Sequence, residues 1–324
     1  MLKSRLCIAF FAFAVGCAPA QKPLTDYVNP MLGTATLWDS VDLGFKPTKR
    51  TWGAEVFPGS ALPNAMVQVS PVTKFHSGAG YQYEDSVIYG FTHTNKGHWN
   101  LCHIPLLPVT GTPTPGDYCS PFSHERESAA PGYYQVFLDR YGVDAQLSST
   151  LRCAFHKYTY PAGAAPAVLA DLQRSNEHVR AWDIRKEGDN VFAGWQQTGE
   201  KMYFYAVANR PVTGIEPVVE GDREVRIVRF GEGDGALELR IGFSFVSEKN
   251  ARENLEAEML GKSFAEVRSE ATATWNDLLG RIRVEGGTER EKGLFYSSLY
   301  RSFHWPALRS DVNGEFTDVD GTVI

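Results

Sequence analysis

Three histidines and a tryptophan crowd the stretch "HTNKGHWNLCH", where His93, His98 and His103 recur at intervals of five around Trp99. Imidazoles in such density raise a metal site first. A spacing of five puts them on no common face of a helix or a strand. No "HExxH" occurs, and Cys102 has no partner at C-x-x-C spacing, so the chemistry of a zinc centre is not supported. A serine-nucleophile reading fares no better, because the chain has no "GxSxG" elbow. Trp99, flanked by His98 and Asn100, fits a sugar better. An indole packs on the C–H face of a pyranose, and neighbouring polar groups hydrogen-bond its hydroxyls. Burial of Trp99 in a core is the plainer alternative. His93 is open in the same way, as a site group or as a core imidazole held by backbone. Trp52 and Glu55 in "TWGAEVFPG" make a second candidate wall. Gly33, Gly59 and Pro63 are turn formers, and Phe57 belongs to the core.

The elements that must carry these residues are mostly strands. Apolar and polar positions alternate in "AMVQVSPVT" (65–73), in the long run 133–160, and in "KMYFYAVA", "REVRIVRF" and "ALELRIGFSFVS". Turn-forming clusters separate them. Many such strands without intervening helices imply stacked antiparallel sheets, a large β-sandwich over residues 21–249. The texture changes at residue 250. Phe264, Val267, Ala271, Trp275, Leu278 and Leu279 follow helical spacing, and Ser263 with Glu266 forms a capping box. A second box, Thr288 with Glu291, starts a helix that Pro306 ends, with Leu294, Leu299, Tyr300 and Phe303 as its expected buried stripe. That helix has an apolar face and little remaining sequence to cover it, so the chain reads as the N-terminal part of a longer protein. The closing "SDVNGEFTDVDGTVI" reads as a solvated loop. Its Asp311, Asp318 and Asp320 lack the spacing and closing Glu of a calcium loop.

Composition narrows the partners. The net charge is −6 on 324 residues, with no basic patch to neutralise phosphates, which excludes nucleic acid. The first twenty residues have a basic start (Lys3, Arg5) and an apolar run to Val15, too short to span a bilayer and right for an export signal. Cleavage after "APA" would free Gln21. Cleavage before Cys17 in "AVGC" would instead leave a lipidated cysteine, the only route to a membrane. Export places Cys102, Cys119 and Cys153 in an oxidising compartment. A Cys102–Cys119 bridge would staple "PVTGTPTPGDY"; three buried thiols are the alternative.

Four segments in order resemble a known family: "YVNPMLGT" (27–34), "FPGSALPNAMVQVSPVT" (57–73), "GYQYEDSVIYGFTHTNKG" (80–97) and "FSHERESAAPGYYQVFLDRYGVDAQLSSTLRCAFHKYTYP" (122–161). With "LYRSFHWP" (299–306) they resemble the N-terminal portion of glycoside hydrolase family 92, exo-acting α-mannosidases common in glycan-degrading Bacteroidetes. The resemblance implies a β-sandwich, a helical linker (250–287) and, from residue 288, the first helix of an (α/α)6 barrel that is otherwise missing from this sequence. It implies calcium-dependent, inverting hydrolysis of terminal mannose from glycans, with α-1,2 linkages as the expected substrate. Inversion needs two carboxyl groups about 6.5–9.5 Å apart. In the family these, and most calcium ligands, sit in the barrel, so no catalytic or metal residue is assigned in this chain. The sandwich would supply a pocket wall, with Trp99, His98, Asn100, His93, Trp52 and Glu55 as its candidates. Asp39 and Asp42 lie in what resembles an extra loop, either specificity element or surface decoration. The family also implies the periplasm or outer-membrane surface of a Gram-negative bacterium. The rival expectation is a carbohydrate-binding or scaffolding sandwich without catalysis.

Overall fold

A computed structural model describes residues 22–36, 44, 56–96 and 99–324. Cys17, Asp39, Asp42, Trp52, Glu55 and His98 lie outside the described residues.

Two antiparallel sheets face each other. In spatial order, the seven-stranded sheet holds Ser60–Ala61, Gln68–Val72, Gly90–Thr92, Leu106–Val109, Ala167–Ala170, Arg223–Phe230 and Val212–Glu220. The eight-stranded sheet runs Ala181–Gly188, Val191–Gln197, Lys201–Ala208, Leu237–Ser244, Cys153–Thr159, Val143–Ser149, Tyr133–Leu138 and Glu127–Ala130. The alternation read from sequence becomes alternation of burial. In Lys201–Ala208, Met202, Phe204, Ala206 and Ala208 point inward while Lys201, Tyr203, Tyr205 and Val207 are half-exposed. The inward residues of both sheets merge in one core, with Phe91, Leu106, Tyr134, Tyr158, Phe204, Ile227 and Phe243 fully or almost fully buried. Gly59 is where a strand approach needs a missing side chain. A Cβ there would stand 2.1 Å from the Val69 carbonyl oxygen.

The helical stretch divides in three: α1 (Glu248–Glu258), α2 (Phe264–Leu279) and α3 (Glu289–Ser302). Both capping boxes form, at Ser263–Glu266 and Thr288–Glu291. Helix α2 buries Phe264, Val267, Ala271, Trp275 and Leu279, close to the expected stripe. Helix α3 follows its expected stripe except at Leu294: Tyr300 is buried, and Leu299 and Phe303 pack half-buried on the same cluster. Its buried residues are Tyr296, Ser297 and Tyr300, whereas Leu294 is exposed. The covering surface comes from the start of the chain. Leu24 and Val28 pack with Trp275, Leu279, Tyr296 and Tyr300, and the Asn29 amide donates to Ser297 Oγ at 2.9 Å. A 3-10 turn at Leu24–Tyr27 thus extends the buried face of α3 to Tyr296 and Ser297 and leaves Leu294 outside it.

The closing segment is not a free solvated loop either. Asp311 is buried, and its carboxylate accepts from Ser244 Oγ (2.6 Å), Asn250 Nδ2 (2.9 Å) and Asn254 Nδ2 (2.7 Å). It pins residues after α3 to the start of α1. Asp318 and Asp320 remain exposed in a turn closed by the Thr317–Val323 bridge.

Candidate functional site

The histidine stretch becomes a loop leaving the strand Gly90–Thr92 and entering Leu106–Val109. Within it, Asn95–Lys96 pairs with Trp99–Asn100 as a short hairpin. Phe91 and His93 alternate onto the core side, so His93 is fully buried. Its Nε2 lies 2.9 Å from Nε2 of His156, whose Nδ1 meets Tyr158 Oη at 2.6 Å. His103 is equally buried, with Nδ1 2.9 Å from Thr94 Oγ1 and Nε2 2.9 Å from Thr198 Oγ1. Burial holds the pKa of His93 down to about 3 and that of His103 down to about 4, and pushes His156 well below its usual value. These rings are neutral at physiological pH. They bridge the two sheets beneath the loop.

Asn100 also turns inward. It is buried; its Nδ2 donates to the Ala79 carbonyl (3.1 Å) and its Oδ1 accepts from the Cys102 amide (2.8 Å). This corrects its expected role of meeting sugar hydroxyls, because both ends of its amide are engaged within the fold. Gly80 leaves room for it: with φ at +75°, a Cβ there would stand 3.0 Å from both Asn100 Nδ2 and Cys102 Sγ. Cys102, Cys119 and Cys153 are free thiols, so the expected Cys102–Cys119 staple is not formed. The Cys102 thiol is instead buried under Gly80, and burial raises its pKa.

What these anchors support is Trp99, which is half-buried at the end of the hairpin. A second layer holds the platform from the side. Asn176 donates through Nδ2 to the Asn100 carbonyl (2.5 Å) and the Ser77 carbonyl (3.1 Å), while Ser175 Oγ donates to the Leu101 carbonyl (2.6 Å). Gln196 accepts from the Ile104 amide (2.8 Å) and donates to the carbonyls of Leu172 and Arg174, both at 2.9 Å. An aromatic side chain on such a braced backbone loses little freedom on binding.

Next to this platform open two clefts that the residue pattern did not announce. One, of about 560 Å³, has Lys74, Phe75, Tyr89 and Arg174 among its walls; the other, of about 780 Å³, has Glu177, His178, Arg180 and Trp182. His76, Arg174 and Ser175 belong to both. Their sequence separation hid them: residues 73–89 and 173–182 meet through strand pairing in the first sheet, and Asn176 bonds the His76 amide and the Ser77 carbonyl across the join.

Calcium binding needs six to eight oxygen ligands. Among the described residues no three metal-type side chains converge, and the Asp311 carboxylate is saturated by protein donors. The donor set of these residues does not fit a calcium cage.

A profile of the glycosyl hydrolase family 92 N-terminal domain matches residues 27–254, and one of the family's catalytic domain matches residues 250–324. The chain is similar in structure to a family GH92 α-mannosidase of Bacteroides thetaiotaomicron, with 25% identity, 94% of this chain and 44% of that one covered, and a TM-score of 0.83. That relative is also known in complex with mannoimidazole. A family GH92 inverting mannosidase of the same organism aligns at 26% identity over 93% of this chain and 43% of its own, with a TM-score of 0.79. Among curated proteins, an uncharacterized secreted glycosidase of Arthroderma benhamiae is 24% identical over 344 residues, which is 89% of this chain and 42% of that protein. The chain therefore spans less than half the length of these relatives.

Proposed function

The chain belongs to glycosyl hydrolase family 92, and from that premise we propose that it is the N-terminal portion of an exported exo-α-mannosidase. The observation that carries the proposal is the match across both family domains, joined to a rigid platform that presents Trp99. In this reading Trp99 forms one flat wall of a mannose pocket. His93, His103 and Asn100 hold that wall in place and do not touch the sugar. The acid, the base and the calcium ligands belong to the remainder of the family's length. They act by single displacement with inversion: one carboxyl protonates the leaving oxygen, and the other activates a water on the opposite face. Terminal α-1,2-linked mannose is the proposed substrate. Export through the N-terminal signal, with or without a lipid on Cys17, places the protein in the periplasm or on the outer-membrane surface.

The test compares the 324-residue chain with a version extended to the length of its relatives. Mannose release from α-1,2-mannobiose is followed by NMR, with and without EDTA. The extended protein is expected to release β-mannose first and to stop when calcium is chelated; the shorter chain is expected to be inactive. Calcium-dependent release by the shorter chain would overturn the assignment of the chemistry elsewhere. An inactive extended protein whose sandwich still binds mannose through Trp99 would favour the binding-module alternative.

A further inference from the structure

The two clefts that meet at Arg174 mix charges: Lys74, Arg174, Arg180 and Arg223 stand among their walls with Glu84, Asp85 and Glu177. Each of these carboxylates accepts a hydrogen bond from a neutral donor of the fold. Asp85 accepts from Thr73 Oγ1 (2.7 Å), Glu84 from the Thr36 amide (2.6 Å) and Glu177 from Thr198 Oγ1 (2.7 Å). The cations divide: Arg223 and Arg174 approach buried Asp171, whereas two others stand apart. Among the described residues, Lys74 and Arg180 make no ion pair or side-chain hydrogen bond, and both are exposed.

Arg174 is the built element between them. Its guanidinium lies over three rings, 5.3 Å from Phe75, 5.4 Å from Tyr89 and 5.8 Å from Tyr118. Behind it stands Asp171, fully buried, which accepts from Tyr118 Oη at 2.6 Å and pairs with Arg223. Arg174 approaches that carboxylate through Nε, at 3.6 Å. Its one hydrogen bond is a long 3.5 Å contact from Nη1 to Tyr118 Oη. The planar fork lies among rings with a charge behind it, and Arg174 lines both clefts. A fork oriented in this way matches a carboxylate or phosphate through two parallel hydrogen bonds. Half-exposed Phe75, Tyr89 and Trp182 in the walls supply faces on which a sugar ring can lie.

We propose that the clefts joined at Arg174 form a binding site for an anionic saccharide, a hexose bearing a phosphate or a carboxylate, separate from the Trp99 wall. Arg174 receives the anion, and Lys74 and Arg180 flank it. The sugar half of this ligand rests on the glycosidase reading above; the anionic half rests on the cleft alone.

Titration calorimetry or NMR on the 324-residue chain with mannose 6-phosphate, glucuronate and mannose tests it. Both anionic sugars are expected to bind, neutral mannose at this site at least about tenfold more weakly, and Arg174→Gln to remove that preference. A stronger response to mannose 6-phosphate than to glucuronate identifies phosphate as the group read; the reverse identifies carboxylate. Should Arg174→Gln unfold the chain, Lys74→Ala with Arg180→Ala gives the test at two exposed positions, with loss of the anionic preference expected. Equal binding of charged and neutral sugars, or a preference unmoved by these variants, would overturn the proposal. Trp99→Ala is expected to leave the anionic preference unchanged, so failure of the mannose-wall reading and failure of this one give different results.

Discussion

The loop 93–104 is tied by the Asn176–Asn100 hydrogen bond to the segment that carries Arg174, yet the loop and the cleft at Arg174 use polar side chains in opposite ways. The loop directs them inward: His93, His103 and Asn100 are buried and bonded within the fold. The cleft directs them outward: Lys74 and Arg180 are exposed, and Arg174 is braced from behind by long contacts to Asp171 and Tyr118. A dense run of functional-looking residues can therefore be a support. Chemistry can lie in residues a hundred positions apart that no local motif joins.

That contrast can be broken by substitution, beginning where the effect is largest. His156→Ala leaves His93 Nε2 and Tyr158 Oη without partners and opens a cavity in the sandwich. It is expected to cost about 3 kcal/mol, seen as a lower urea midpoint. An unchanged midpoint would end the view that the histidines are supports. The same lattice predicts acid sensitivity. His93 titrates near 3 when folded against about 6.5 when unfolded, so between these values the unfolded chain binds more protons. Stability should be full above pH 6.5 and fall as pH drops toward 3, measured by thermal unfolding across that window; His156→Phe should flatten the slope.

Asp171→Ala attacks the cleft from behind. It removes the acceptor of Tyr118 and the partner of Arg223, whose side chain is 30% exposed, so solvent moderates the loss. About 2 kcal/mol is expected, together with a weaker response to anionic sugars in the same titration. Trp99→Ala should cost under about 1 kcal/mol, because the ring is half-buried and its backbone is held by other residues. Its effect should appear instead as lost affinity for mannosides. Arg180→Ala, at an exposed side chain, should change stability by less than about 0.5 kcal/mol. A large loss there would mean that the cleft, like the loop, is structural.

Much of the fold was legible because its signals are local. Strand alternation in 201–208, 223–230 and 236–247 needs only the two-residue period of an extended chain. The capping boxes at Ser263 and Thr288 close within four residues. The strands Ala181–Gly188 and Val212–Glu220 were less legible. They border their sheets, and most of their residues remain partly or fully exposed, which blurs the alternation. Of the two regions, residue order pointed only to the loop that carries Trp99. Nothing local marks Arg174 and His76 as neighbours, because strand pairing between distant segments brings them together.

Residue order by itself determined the strand periodicity, the helix starts and the likeness to a glycosidase family, since each depends on spacing along a few residues or on motifs in sequence. Only the tertiary structure decided which way each polar group faces. Leu294 lies exposed while Tyr296 is buried, Asp311 is enclosed by Ser244, Asn250 and Asn254, and Cys102 remains apart from Cys119. The physical reason is common to all of them. Burial of a polar or apolar group is favourable only where a partner waits, and those partners come from segments far away in the chain.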